Sequence, residues 1–132
     1  MPTEYVPVGM RQATIERSSG KCEYCHLPNI AFFPHEVDHV VARKHGGRTE
    51  PENLAYACFQ CNRSKGSDIA SIDPETGLIT PLFNPRTQAW QEHFRFQDKL
   101  IVPLTPEGRA TVFLLRLNLP DRIAERQRLK IS

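Results

Sequence analysis

The sequence predicts an α+β domain: a strand–turn–strand–helix core pinned by two cysteine knuckles, with a β/α extension packed on it. Three observations predict this. All four cysteines fall into two Cys-x-x-Cys pairs, Cys22 with Cys25 and Cys58 with Cys61. Between the pairs, residues 35–41 have the β-propensity of a short strand, and Gly46-Gly47 supplies the turn after it. Beyond the pairs, Thr105-Pro106 is a helix start, and Ala110, Phe113, Leu114 and Leu117 follow at i, i+3, i+4 and i+7 as one apolar stripe.

In chain order, the arm ahead of residue 9 is extended and residues 9–17 are helical, until Ser18-Ser19-Gly20 breaks the helix. Cys22-Glu23-Tyr24-Cys25 is a tight knuckle, and residues 26–34, with Pro28-Asn29 and Pro34, are loop. Residues 48–57 return to the second knuckle with Leu54 and Tyr56 facing inward, and a helix begins near Phe59 and Asn62 and runs to about Ala70. Residues 73–77 are a turn, and residues 78–83 a strand closed by Asn84-Pro85. The aromatic-rich stretch 90–96 fits helix or strand, and residues 100–104 are a strand. Pro120 stops the helix that Thr105 begins, and residues 121–130 form a last, basic helix.

At 132 residues the chain is one domain by size, read as an N-terminal arm and helix (1–21), a knuckled core (22–70) and a C-terminal extension (71–132). The first ten residues lack a basic region followed by an apolar run, and no stretch has the length of a membrane span. The expected compartment is the cytoplasm, where paired cysteines are metal ligands more readily than disulfides. A net charge of +2 is too small to argue for nucleic acid. Six Arg or Lys from Arg109 to Lys130, against Asp121 and Glu125, read by themselves as a solvated helix face.

Zinc takes four thiolates in a closed tetrahedral site, and a two-residue gap lets both sulfurs of one turn reach the ion. The expected ligands of one structural zinc are Cys22, Cys25, Cys58 and Cys61, with His26 a loop residue. A thioredoxin-type redox pair is the rival, but it would not need two knuckles. Between the knuckles lies Asp38-His39, and Asn62 follows the last cysteine. A histidine accepts a water proton near neutral pH, and a hard divalent ion takes oxygen ligands such as a carboxylate and an amide. That is the chemistry phosphodiester hydrolysis requires, while Asp38-His39 taken alone reads as the end of a surface strand.

Asp38-His39, Gly46-Gly47, Asn53-Leu54 and Cys58-x-x-Cys61-Asn62-x-x-Lys65, in that order, resemble the motif of HNH endonucleases, over about residues 22–68. The resemblance implies a ββα-metal (His-Me finger) module that cuts DNA, leaving 5′-phosphate and 3′-hydroxyl ends. It implies His39 as general base, Asp38 and Asn62 as ligands of a catalytic Mg²⁺ or Mn²⁺, and Asn53 as the residue that fixes the loop and orients the histidine. Glu36 is a secondary position, where related proteins often have His or Glu. Ala42 departs from the family, many members of which carry proline there. The C-terminal stretches LFNPRTQAWQEHF and LTPEGRATVFLLRLN resemble the tail of small bacterial, notably cyanobacterial, HNH proteins.

Arg43, Lys44 and Arg48 flank the Gly-Gly turn beside His45, and Arg63 and Lys65 lie next to Asn62. Together with Arg86 they are the expected phosphate contacts, with His93 a further candidate, while Trp90 and Phe94 are expected to pack on the core. The expected partner is DNA, with RNA as a second candidate and no membrane; the chain would act as a monomer or homodimer. The competing readings are a zinc-ribbon module that binds nucleic acid without cutting it, and a structural zinc domain that docks on a partner protein.

Overall fold

The computed structural model describes residues 5–29 and 34–131. Residues 1–4 of the expected extended arm and residues 30–33 of the expected loop lie outside the described residues. The chain opens with helix α1 (Val8–Arg17), then forms an antiparallel hairpin of β1 (Glu36–His39) and β2 (Leu54–Ala57), followed by the short helix α2 (Phe59–Lys65). The register pairs Glu36 with Ala57, Val37 with Tyr56, Asp38 with Ala55 and His39 with Leu54.

Strand residues alternate between faces, so this register divides the hairpin cleanly. Val37, Leu54 and Tyr56 face α1 and form a small core with Val6, against which Met10 and Ile15 pack. Ala55 and Ala57 face the other way, into a larger core with the four cysteines, Tyr24 and Val40. Both faces of β2 are covered, which is why all four of its residues are buried. Full burial of a side chain such as Leu54 contributes about 1.5–3 kcal/mol. The Arg17 guanidinium fastens α1 to this hairpin by donating to the carbonyls of Pro51 (3.1 Å) and Leu54 (2.8 Å).

Helix α2 is shorter than the expected run to Ala70. Gly66 turns out of it at φ +52, and Ala70 instead begins β3 (Ala70–Ile72), which pairs with β4 (Ile79–Pro81). The expected turn at residues 73–77 closes this hairpin. Asp73 Oδ1 accepts from Glu75 N–H (2.9 Å), and Gly77 takes φ +75. The ambiguous aromatic stretch is both alternatives in succession: one helical turn, α3 (Trp90–His93), then β5 (Phe94–Gln97) paired with β6 (Leu100–Pro103).

Helix α4 (Pro106–Leu114) has the expected cap, with Thr105 Oγ1 accepting from Gly108 N–H (3.0 Å). It buries Gly108, Ala110 and Thr111, and Leu117 is buried beyond its end; Phe113 of the expected stripe is exposed. The stripe fails there because the helix stops at Leu114, well before Pro120, and Arg116 reverses the chain at φ +53. Pro120 instead opens the last helix, α5 (Pro120–Leu129), where its missing N–H is harmless. The larger core runs from the cysteines through Phe83, Phe94 and Ile101 to Leu115 and Leu117, so the extension packs directly on the knuckled module. Among the described residues, no helix is long and apolar enough to cross a membrane.

Candidate active site and metal centre

The first knuckle is closed by Cys22 N–H donating to Leu27 O (2.8 Å) and His26 N–H donating to Cys22 O (2.9 Å). His26 takes φ +66, a left-handed conformation that costs a non-glycine residue about 1 kcal/mol or more. Its ring stacks on Trp90 at 4.1 Å between centroids, and burial lowers its pKa. The second knuckle is the start of α2: Cys58 is the N-cap, its Sγ accepting from Cys61 N–H (3.4 Å). Glu23 joins the two. Its N–H donates to Tyr56 O (2.9 Å), and its carboxylate accepts from Tyr56 N–H (2.8 Å) and pairs with Arg86.

These contacts bring the sulfurs of Cys22, Cys25, Cys58 and Cys61 within 4.8 Å of one another, all buried, with Cys25 and Cys58 3.7 Å apart. Four sulfurs at about 2.3 Å from one zinc stand about 3.8 Å apart, so the cluster fits a tetrahedral zinc. It leaves no separate dithiol for the redox reading. Burial pushes the Cys22 and Cys61 thiols up. Cys25 is pushed down by hydrogen bonds from Cys22, Cys58 and Cys61.

The hairpin presents the Asp-His pair on opposite faces. Asp38 shares the α2 side with Glu36, and His39 is buried on the other. Helix α2 packs on β1, and Asn62 Nδ2 donates to Glu36 Oε2 (3.1 Å), which leaves its Oδ1 as the open end of the amide. His39 Nε2 lies 2.8 Å from Thr49 Oγ1, so Nδ1 is the ring nitrogen not engaged by Thr49. Thr49 Oγ1 also accepts from the Arg43 guanidinium (3.4 Å).

The loop between the strands is clamped by Asn53. Its Oδ1 accepts from Val41 N–H, and its Nδ2 donates to Val41 O and Arg48 O, all at 2.9 Å. Val40 N–H donates to Asn53 O (2.8 Å). Gly47 is what lets the clamp close: a Cβ there would lie 1.7 Å from Val41 O and 2.8 Å from Asn53 Nδ2. Gly46 is glycine for another reason, its φ of +91. Ala42, where many family members have proline, sits at φ −64, ψ 154, a conformation proline adopts.

Arg43, Lys44, His45 and Arg48 are exposed on this loop, and Arg63 is exposed on α2, 5.8 Å over the Phe59 ring. Two of the expected phosphate contacts are not brought to that surface. Lys65 is buried, its ammonium donating to Val40 O (2.8 Å), and burial lowers its pKa against the pull of Asp38 and Asp68. Arg86 is nearly buried against Glu23, tying the extension to the first knuckle. His93 is half-buried and engaged by the Thr105 hydroxyl (2.6 Å). The sequence reading missed Thr49, for which a lone polar loop residue gives no signal. It also missed Arg122 and Arg126, buried at 5% and 2% exposure, whose i, i+4 spacing was the available clue.

Comparison with known proteins agrees with this geometry. Residues 22–68 match the family model of the HNH endonuclease. The chain is 41% identical over 63 residues to a CRISPR-associated endonuclease Cas9 from Corynebacterium diphtheriae, covering 47% of this chain and 6% of that protein. It is 26% identical over 122 residues to the Septu protein PtuB of Bacillus thuringiensis, covering 86% of this chain and 43% of PtuB. The chain thus spans less than half the length of either relative. No solved structure matches it. The ββα arrangement, the four-cysteine cluster and the family match agree, and residues 22–68 are a domain of the HNH endonuclease family.

Proposed function

We propose that the chain is a metal-dependent endonuclease that hydrolyses DNA phosphodiester bonds. The observation that carries this reading is the packing of α2 on β1. It sets Asn62 against Glu36, two residues from Asp38, on the hairpin that also holds His39 against Thr49.

Asp38 and the Oδ1 of Asn62 form a hard oxygen donor set that fits Mg²⁺ or Mn²⁺, the Glu36 contact keeping the amide nitrogen turned away. When bound, such an ion supplies positive charge to the scissile phosphate and the leaving oxygen. His39 takes a proton from water at Nδ1, the nitrogen Thr49 leaves open. The water oxygen bonds to phosphorus as the bond from phosphorus to O3′ breaks, and O3′ leaves with a proton from solvent. Thr49 accepts from Nε2–H, holding the ring while it carries the extra proton. Asn53 serves the site by fixing the loop that carries Thr49. Arg43, Lys44, Arg48 and Arg63 are the exposed cations that would grip backbone phosphates, contacts that carry no sequence information.

The test is conversion of supercoiled plasmid by wild type and His39→Ala with Mg²⁺, Mn²⁺ or EDTA. The expected result is nicking or linearisation by wild type alone, abolished by EDTA, with zinc retained in the variant. A folded, zinc-loaded wild type that binds plasmid, branched and single-stranded DNA without cutting any of them refutes the reading in favour of a non-catalytic zinc-ribbon module.

A further inference from the structure

Helix α5 lies outside the segment that matches the HNH family, yet it delivers a side chain to the sulfur cluster. Arg122 Nη2 donates to Cys61 Sγ at 2.9 Å and lies 3.9 Å from Cys58 Sγ, while Nη1 donates to Leu115 O (2.8 Å). One turn on, Arg126 donates to Lys99 O (2.7 Å) and Asn118 Oδ1 (2.9 Å). Both side chains are buried, and among the described residues neither guanidinium lies within ion-pairing distance of a carboxylate.

A buried charge without a counter-charge is strongly unfavourable, and two on one helix are more so. The hydrogen bonds of Arg126 are to neutral groups, which satisfy its N–H donors but not its charge. The cluster supplies what is missing. A zinc ion with four thiolates carries a net charge of −2, and two guanidiniums carry +2.

We infer that Arg122, seconded by Arg126, is the charge-neutralising cap of the zinc centre, so that α5 of the extension is a working part of the metal site. This rests on zinc as the occupant of the four cysteines. It makes zinc retention depend on a residue far along the chain from either knuckle, because the charge and the helix that carries it dock together.

The experiment compares zinc-loaded full-length wild type with Arg122→Met, Arg122→Lys and Arg128→Met. Zinc content is measured first, then zinc transfer to a chromogenic chelator at fixed neutral pH, with circular dichroism to confirm folding. Arg128 is exposed on the same helix and pairs with Glu125, so its loss removes one charge away from the sulfurs. Arg122→Met is expected to release zinc about ten- to a hundredfold faster, the usual effect of losing an outer partner of a metal ligand. Arg128→Met should match wild type, and Arg122→Lys, which keeps the charge, should lie closer to wild type than to the methionine variant. Folded Arg122→Met that holds zinc as wild type does overturns the inference. If the methionine variant does not fold, Arg122→Lys decides: rapid zinc loss from it would show that charge is not what the site uses. Wild type without zinc would instead refute the zinc reading on which the inference stands.

Discussion

The two adjacent glycines of the loop are both required, for different physical reasons, and this makes a sharp test. Gly46→Ala forces an alanine to φ +91, with nothing within 4 Å of the new Cβ. Its cost is conformational, about 1–2 kcal/mol. Gly47→Ala has no such conformational penalty. Its Cβ would instead lie 1.7 Å from Val41 O, 2.6 Å from Val41 C and 2.8 Å from Asn53 Nδ2. Backbone atoms give way poorly, so the Asn53 clamp must open. That clamp makes three side-chain hydrogen bonds. At about 0.5–1.5 kcal/mol each, opening it costs about 1.5–4.5 kcal/mol. A 132-residue chain loses on the order of 3–4 °C of Tm per kcal/mol. The expected falls, read by thermal unfolding of the zinc-loaded protein, are then about 3–8 °C for Gly46→Ala and about 5–18 °C for Gly47→Ala. Asn53→Ala should resemble Gly47→Ala, and the pair combined should cost little more than either alone, because both open one clamp. A Gly47→Ala protein as stable as wild type, or a fully additive double variant with Asn53→Ala, refutes the reasoning.

Three further outcomes follow from the same geometry. Thr49→Val should lower kcat about ten- to a hundredfold with KM little changed, the loss of one hydrogen bond to a charged imidazole being worth about 1.5–3 kcal/mol; Thr49→Ser should restore the rate, and a valine variant with wild-type kcat removes Thr49 from the mechanism. Ala42→Pro should raise stability by about 0.4–1 kcal/mol in thermal melts, since Ala42 already has a proline conformation and its N–H donates to no backbone carbonyl among the described residues; destabilisation would show that Val41 cannot tolerate the ring. Asp73 accepts two hydrogen bonds from Arg109, which hold its pKa at about 2 against an ordinary 3.8. A lowered carboxyl pKa stabilises the fold above the ordinary value and loses that contribution as pH falls through the lowered one. Asp73→Asn should therefore be less stable than wild type at neutral pH, with the gap in unfolding midpoint narrowing between about pH 4 and pH 2; a gap independent of pH refutes the ion pair as its source.

Much of the site can be read along the chain because its parts are close in sequence. The knuckles, the Asp38-His39 pair, the Gly-Gly turn and Asn62 fall within residues 22–68, and local chemistry fixes each of them. Cys58 caps the helix that follows it, and Thr105 caps α4, as a thiol and a hydroxyl at those places must if the helix ends are to be satisfied. Elsewhere local reading failed where tertiary contacts overrode it. Gly66 ends α2 at φ +52, and pairing with Pro81, eleven residues further on, takes Ala70 into a strand. Phe113 fits an apolar stripe by spacing, but the helix carrying it ends one residue later.

The sequence by itself determined the four sulfur ligands, the order strand–turn–strand–helix and the candidate catalytic pair, because ligand spacing, glycine conformation and capping act over a few residues. Only the tertiary structure decided which cations face solvent and which are consumed inside. Lys65 goes to Val40 O, Arg86 to Glu23 and Arg122 to the sulfurs. A charged side chain declares its role by its partner, and in each of these cases the partner is more than 20 residues away in sequence. Burial in the folded chain makes such pairings obligatory, and no local pattern encodes them.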